Sequence, residues 1–282
     1  MPRPTQVQGM KLAALPDRAV LEILGEGRVA FLQGLVSNDV TKAQADQAIW
    51  AALLTPQGKW LADFFVIATP EALLLDVEAA QLAMLIMRLS RFKLRAKVAL
   101  RDAAADWRVH AAWGEGAPSE GLAARDPRLP EAGWRVLAGT GLPCNASPAD
   151  YAAHRLALGL PDGSKDMEAD KSVLLEGGFD ELHGISWTKG CYMGQELTAR
   201  TRYRGLLKRR LVPVVIEGPA PGRGVPILTP DGAEAGEMRS SLGAQGLALL
   251  RLECLDKGAL LAGEARLTPQ PPPWMKLPED KP

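Results

Sequence analysis

Apolar and polar residues alternate along the first half of the chain in a pattern that predicts short β-strands, because successive side chains on a strand point to opposite faces. The stretches 49–54 and 60–68 flank the turn sequence TPQGK and predict a β-hairpin. Further strands are predicted at 19–24, 72–77, 97–101, 107–113 and 134–137.

Apolar residues at helical spacing predict three helices in the same half. A short helix is predicted after Gly25 and Gly27, and a longer one at 79–91. A third is predicted at 148–158, where Ser147 is suited to the N-cap and a proline takes the first helical position. Strands and helices are mixed without a regular βαβ alternation, so the pattern indicates an α+β fold.

The pattern changes after Arg210. A strand is predicted at 211–216, and the stretch EGPAPGRGVPILTPDG that follows is rich in proline and glycine. Short apolar segments then occur at 227–228, 247–250 and 260–261. Several short strands separated by turn residues are typical of a small β-barrel or sandwich. The final stretch QPPPWMKLPEDKP is expected to be extended or disordered.

Composition narrows the class of protein. The chain has 282 residues, 47% of them hydrophobic, and a formal net charge of +0. Zero net charge gives no general attraction to nucleic acid or to an anionic membrane. No apolar run is long enough to cross a bilayer, and the N-terminal stretch has neither the apolar core of a secretory signal nor the character of a mitochondrial import sequence. A cytoplasmic protein without a membrane partner is therefore expected.

The chain has three cysteines, Cys144, Cys191 and Cys254, at wide spacings and without a CxxC pair. A disulfide framework is not expected, and the three histidines are scattered, so no metal site is predicted. Cys191 differs from the others because it lies in KGCYMGQE, residues 189–196. A nearby Lys189 and the entrance to a helix would both favour thiolate, although a tight glycine turn with a half-buried thiol is an equal alternative.

A basic stretch, ARTRYRGLLKRR, follows directly. If 200–204 is extended, Arg200, Arg202 and Arg204 share one face and can bind carboxylates or phosphates. The alternative is a solvated strand whose arginines pair with acids.

KGCYMGQE followed by TAR and RG resembles the signature of the YgfZ-like folate-binding family, whose members are related to the glycine-cleavage T-protein, an aminomethyltransferase. Five other stretches resemble the same family: FLQGLVSND at 31–39, LTPQGKWLAD at 54–63, RLALGLP at 155–161, GEMRSS at 236–241 and ALLR at 248–251. The resemblance implies an α+β body of two intertwined subdomains at 1–207, a C-terminal β-barrel at 208–269 and an extended tail at 270–282.

The resemblance also implies a central site for tetrahydrofolate or a derivative. Cys191 and Lys189 are the expected catalytic residues. The expected folate-binding residues are Asn38, Asp39, Asp63, Glu176, Tyr192, Gln195, Glu196, Arg200, Arg202 and Arg204. Among them Glu176, Gln195 or Glu196 would pair with the pterin ring, and the arginines with the glutamate tail.

The chain departs from the T-protein at residues that matter for transfer. The paired acids of the T-protein correspond to Ala62 and Asp63, and a folate-holding glutamate corresponds to Ala157. Leu174 and Gly178 stand where a proline and an asparagine are expected. The first two departures argue against aminomethyl transfer.

The function predicted on this basis is a folate-binding accessory protein in the assembly or repair of iron–sulfur proteins, with a possible effect on tRNA modification. Its partners would be a reduced folate and iron–sulfur client or assembly proteins. One alternative is a folate-dependent one-carbon transferase, which the missing acid disfavours. The other is a tRNA-binding module that uses 200–210, which the zero net charge disfavours.

Overall fold

The computed structural model describes residues 9–277, and their contacts divide them into two compact units. The first unit comprises 9–31, 40–50 and 64–151, and the second comprises 32–39, 51–63 and 152–277. Each unit is thus assembled from separate stretches of the chain.

The first unit contains a four-stranded antiparallel sheet with the order β1-β7-β9-β8. Its strands are β1 (Lys11–Ala14), β7 (Arg108–Trp113), β8 (Leu122–Arg125) and β9 (Trp134–Ala138). Strands β1 and β8 were not predicted, because each is four residues long and only partly buried. Such short segments give little alternation to detect.

A five-stranded sheet has the order β3-β4-β5-β2-β6. Its strands are β2 (Arg18–Leu24), β3 (Ile49–Leu54), β4 (Trp60–Ala68), β5 (Ala72–Glu78) and β6 (Ala99–Asp102). Strands β2 and β5 pair antiparallel from Arg18 opposite Glu78 to Leu24 opposite Ala72. The buried Arg18 donates from Nε to Asp76 Oδ1 at 2.7 Å, which compensates the charge inside this sheet.

Four α-helices are present in the described part of the chain: α1 (Arg28–Gln33), α2 (Leu82–Ser90), α3 (Pro148–Ala157) and α4 (Gln195–Tyr203). The predicted N-cap of α3 is confirmed. The Ser147 hydroxyl accepts from Asp150 N at 3.2 Å, and Asp150 Oδ2 accepts from Ser147 N at 2.8 Å. This reciprocal pair satisfies backbone donors that the first turn would otherwise leave open.

The last part of the chain forms a closed six-stranded barrel with the order β10-β13-β12-β11-β14-β15. The strands are β10 (Arg209–Glu217), β11 (Pro226–Leu228), β12 (Glu234–Leu242), β13 (Gln245–Arg251), β14 (Leu260–Ala262) and β15 (Ala265–Pro269). Alternate residues of β10, namely Val212, Val214 and Ile216, belong to the buried barrel core. The predicted α+β fold with a small C-terminal barrel is therefore confirmed.

Gly236 shows why β12 escaped prediction. Its φ is +153°, and a Cβ at this position would lie 2.0 Å from the carbonyl oxygen of Leu249. The strand also shifts register between Met238 and Ser240. A strand with a bulge loses the strict alternation on which sequence-based prediction relies.

The C-terminal segment packs against the barrel as far as Met275, so disorder, one of the two states expected for it, does not apply to this part. Met275 is buried in the barrel core, and Trp274 Nε1 donates to Leu158 O at 2.9 Å. An aromatic ring and a thioether gain more from this burial than they would from solvation. The final residues of the predicted tail, 278–282, and the N-terminal residues 1–8 lie outside the described part.

Among the described residues, no helix is both long and apolar enough to span a membrane.

Candidate functional site

The KGCYMGQE segment forms a loop that leads into α4. The helix begins at Gln195, four residues after Cys191, and Gly194 is its N-cap with φ +80°. The predicted helix entrance is thus present, but Cys191 precedes the first turn rather than lying within it. Cys191 is exposed.

Gly194 is required by close packing of the backbone. A Cβ there would lie 2.5 Å from the Thr55 carbonyl oxygen and 2.9 Å from Gly58 Cα. The glycine turn of the β3–β4 hairpin therefore rests directly against the start of α4. At Gly190, in contrast, a Cβ would have no atom within 4 Å, although the φ of +96° also favours glycine.

Lys189 binds three backbone carbonyls. Its Nζ donates to Gln33 O at 2.5 Å, to Val36 O at 2.6 Å and to Asn38 O at 2.8 Å. Burial lowers the pKa of Lys189 to about 8, and the nearby Asp39 carboxylate opposes this shift. The amine is still mainly protonated at pH 7, so it has three donors for the three carbonyls.

This geometry changes the role expected for Lys189. Because all three ammonium protons are directed at the loop 33–38, the side chain joins that loop to the cysteine loop. Its arrangement supports a structural role, and the action of this amine on Cys191 stays a prediction.

The FLQGLVSND segment forms the other side of the site. The Ser37 hydroxyl donates to Gly184 O at 2.6 Å and accepts from Ala52 N at 2.9 Å. Asn38 Nδ2 donates to His183 O at 2.7 Å, and Asp39 Oδ1 accepts from Gln33 Nε2 at 2.9 Å. Asn38 and Asp39, both expected folate ligands, thus make contacts that fix the loop.

Two buried hydroxyls in the site, those of Tyr192 and Thr198, lie close to each other and have no other hydrogen-bond partner among the described residues. Tyr192 is 6% exposed and Thr198 is 2% exposed, and neither hydroxyl meets a partner in hydrogen-bond geometry. Burial raises the pKa of Tyr192 to about 12, and the nearby Thr198 side chain offsets only part of this. Buried hydroxyls normally find partners, so this pair is a place where a polar group of a ligand would be stabilised.

Two of the four expected carboxylate ligands, Glu176 and Asp63, already accept hydrogen bonds from protein donors. Glu176 Oε1 accepts from Arg209 Nε at 3.1 Å and from Arg209 Nη2 at 3.0 Å. Its Oε2 accepts from Val173 N at 3.1 Å. The buried Asp63 accepts from Trp60 Nε1 at 3.0 Å. These bonds hold the turn 174–177 and the start of β4.

The shared face of arginines depended on an extended 200–204, and this condition is not met. Arg200 and Arg202 lie in α4 and Arg204 is its C-cap, and residues two apart on a helix point to nearly opposite sides. Arg202 Nε lies 3.2 Å from Asp180 Oδ2, and its guanidinium stacks 4.2 Å from the Trp187 ring centroid. Good helix formers on both sides of the arginines were the signal for this helix.

Gln195 and Glu196 occupy the first turn of α4. Gln195 is half-buried, whereas Glu196 is exposed and complements the positive end of the helix dipole. Of these two predicted pterin partners, Gln195 has the burial expected of a ligand-binding side chain.

The three cysteines have different surroundings. Cys144 and Cys191 are exposed, whereas Cys254 is buried, and burial raises the pKa of its thiol. Within the described residues no group of three His, Cys, Asp or Glu side chains could hold a metal ion.

The sequence analysis missed three residues of this site: Ser37, Trp187 and Thr198. Ser37 joins two loops, Trp187 stacks on Arg202, and Thr198 contributes a buried hydroxyl. Ser37 lies within the FLQGLVSND match and Trp187 lies two residues before KGCYMGQE, so proximity to these motifs was the only signal.

Comparison with known proteins assigns the family. Residues 208–277 match the family model of the CAF17 C-terminal β-barrel domain. The chain is 33% identical to the mitochondrial iron–sulfur cluster assembly factor IBA57 of Mus musculus, over 87% of this chain and 78% of the mouse protein. The chain belongs to the IBA57 family.

Other relatives carry the same name. The human mitochondrial IBA57 is 31% identical, over 87% of this chain and 78% of its own length. The mitochondrial IBA57 homologue of Mycosarcoma maydis is 36% identical over 72% of this chain. The match spans only 57% of that fungal protein, whereas it covers over three quarters of the mammalian ones.

The fold is also that of a glycine-cleavage T-protein. The aminomethyltransferase T of Bartonella henselae superimposes with a TM-score of 0.71, over 94% of this chain and 86% of its own. Sequence identity is 13%, so the likeness establishes a shared fold. The body expected from the resemblance is therefore present in this IBA57 family member.

The comparisons contradict the prediction of a cytoplasmic protein. The mouse, human and fungal IBA57 relatives are named as mitochondrial proteins, which points to the mitochondrion. The prediction relied on the absence of recognisable targeting features, and such an absence does not determine where a protein resides.

Proposed function

We propose that this chain is an accessory factor in the assembly or repair of iron–sulfur proteins, in which Cys191 is the working thiol. Membership of the IBA57 family supports the iron–sulfur role. The exposed thiol on a loop anchored by Lys189 supports the assignment of Cys191. An exposed, anchored thiol can contact a partner protein without rearrangement of the fold.

We further propose that a reduced folate binds beside this loop, as the resemblance to the YgfZ-like family implies. The buried hydroxyls of Tyr192 and Thr198 lie close to each other and have spare hydrogen-bonding capacity, which fits a ligand rich in polar ring atoms. The half-buried Gln195 side chain can donate and accept. Glu176 and Asp63 fit less well, because their oxygens already accept from protein donors. A bound reduced folate would supply a carrier of one-carbon units near the thiol.

The role of the thiol is tested by complementation in cells that lack the protein, with the activity of iron–sulfur enzymes as the measurement. Cys191→Ala and Cys191→Ser should both fail to restore activity, and both should keep the wild-type melting temperature because the side chain is exposed. Cys144→Ala is the matched control, since it removes another exposed thiol. Full activity of Cys191→Ala would remove the thiol from the proposal.

The folate proposal has its own test. Calorimetry with tetrahydrofolate should show binding that weakens about tenfold in Tyr192→Phe, because one buried hydrogen bond is lost. Tyr203→Phe removes a surface hydroxyl and should bind as wild type. Unchanged affinity in Tyr192→Phe would exclude this hydroxyl, and no binding to wild type would exclude the folate.

Neither alternative function gains support from the geometry. Aminomethyl transfer is disfavoured because alanines occupy positions 62 and 157. Direct tRNA binding through 200–210 is disfavoured because Arg202, Arg209 and Arg210 pair with carboxylates. An effect on tRNA modification would instead follow from the client proteins, where these are iron–sulfur enzymes that modify tRNA.

A further inference from the structure

A stretch of the first unit is basic and free of acids. Between Glu78 and Asp102 the sequence contains no Asp or Glu. The segment RFKLRAK, residues 91–97, lies directly after α2 and is called the basic loop below. It carries Arg91, Lys93, Arg95 and Lys97, and all four are exposed.

The charges of the basic loop are not compensated by the fold. Within residues 9–277, none of the four side chains forms an ion pair or a hydrogen bond. The neighbouring Arg101, in contrast, pairs with Glu22 at 2.6 Å and with Asp106. Among the described residues no carboxylate forms an ion pair with the basic loop, so the loop presents its positive charge to solvent.

The same segment exposes large apolar side chains. Leu94 is 90% exposed, Met87 is 51% exposed and Phe92 is 44% exposed. Leu94 also has φ +37°, a conformation that is unfavourable for a residue with a branched side chain. Solvent exposure and backbone strain at one leucine both cost stability.

The loop is nevertheless well anchored. Leu82, Leu85 and Leu89 bury the inner face of α2. After the helix the chain continues in tight turns, with Phe92 N bonded to Leu89 O at 3.0 Å and Ala96 N to Lys93 O at 2.7 Å. The apolar tip is thus held outward by an ordered backbone.

We propose that the basic loop is a peripheral membrane-binding element. Leu94 and Phe92 enter the interface of an anionic bilayer, and the four cations bind the phosphate groups of its lipids. The expectation of no membrane partner rested on zero net charge and on the lack of a long apolar run. Net charge describes the whole chain, and a long apolar run is needed only to span a bilayer, so neither observation excludes binding by a local surface loop.

A lipid surface fits this loop better than a macromolecular partner does. A leucine that projects with 90% of its surface free needs a complementary cavity in a protein partner, whereas a fluid bilayer adapts to it. A nucleic acid would satisfy the cations but would leave Leu94 and Met87 against phosphates or water. Charge and apolar surface together are the signature of an anionic interface.

The test is co-sedimentation of the full chain with vesicles of phosphatidylcholine, with and without phosphatidylglycerol, at low and high salt. The protein should sediment with the anionic vesicles only, and high salt should release it, because the headgroup attraction is screened. Arg91→Glu, Lys93→Glu and Arg95→Glu combined should abolish sedimentation. Leu94→Asn, which suits the positive φ, should weaken it with the charges intact.

The matched control is the combination of Arg200→Glu, Arg204→Glu and Lys208→Glu, which makes the same change in charge at another exposed basic segment. It should sediment as wild type, and thermal melts should show that all variants are folded. The proposal is overturned if wild type ignores anionic vesicles or if both triple variants lose binding equally. Preference for polyglutamate or RNA over the vesicles would overturn it in favour of a protein or nucleic-acid partner.

Discussion

Two basic segments of this protein have similar sequences and opposite surroundings. In the basic loop at 91–97 cations alternate with apolar residues, and at 200–204, after the cysteine motif, they alternate with Thr201 and Tyr203 before three contiguous cations at 208–210. In the second segment Arg202, Arg209 and Arg210 pair with Asp180, Glu176 and Glu181. In the basic loop no cation has a carboxylate partner among the described residues.

The difference shows that a run of cations does not by itself indicate a binding surface, because acidic residues elsewhere in the chain can pair with it. The carboxylates that pair with 202–210 come from residues 176–181, about thirty positions away along the chain. They form ion pairs with three of the six cations at 200–210, of which Arg210 is buried and Arg202 and Arg209 stay partly exposed. The basic loop lacks such neighbours, so its charge remains available to a partner.

The largest expected effect comes from the buried end of the paired segment. Arg210 and Glu181 are both almost fully buried and lie 2.9 Å apart. Arg210→Ala should lower the free energy of unfolding by about 3–5 kcal/mol, because a buried carboxylate loses its partner. Urea denaturation measures this, with the exposed Arg204→Ala as control. A loss below that of the control would mean that the pair contributes nothing.

Lys189→Met should have the next largest effect. Three carbonyl oxygens lose their donor, and an unsatisfied buried polar group costs about 1–3 kcal/mol, so a loss of about 3 kcal/mol is expected in total. The same denaturation experiment measures it, and Lys208→Met is the control at an exposed position. Wild-type stability together with lost iron–sulfur activity would instead favour a chemical role for the amine.

Arg202→Ala tests a paired cation that is still partly exposed. Its ion pair with Asp180 is screened by water, and its stacking on Trp187 adds a cation–π contact. A loss of about 1 kcal/mol is expected from these two contacts. Arg202→Lys should recover little of it, since an ammonium does not stack as a planar guanidinium does. Full recovery by lysine would show that charge alone matters.

The smallest effect on stability is expected in the basic loop. Reversing Arg91, Lys93 and Arg95 together should change the free energy of unfolding by less than about 0.5 kcal/mol, because no native contact is removed. A melt at low and at high salt measures this. A clear destabilisation would show that these cations have partners in the fold, which would end the contrast between the two segments.

The sequence alone determined features that depend on neighbouring residues. Alternation located β2 to β5, helical spacing located α2, and Ser147 with Pro148 marked the start of α3. KGCYMGQE was expected to be a loop before a helix, and α4 begins within it. These elements follow from local spacing and capping, so the one-dimensional pattern was sufficient.

Tertiary structure decided which groups the charged side chains meet. Lys189 was expected to act on a cysteine two residues away, but its partners are carbonyls more than 150 positions earlier. Likewise, Arg202 pairs with Asp180, Arg209 pairs with Glu176, and Trp274 donates to the backbone oxygen of Leu158, all of them distant in the sequence. Sequence spacing specifies the direction in which a side chain points from a helix or strand. The partners of long flexible side chains are distant in the sequence, and only the folded chain brings them within a few ångströms.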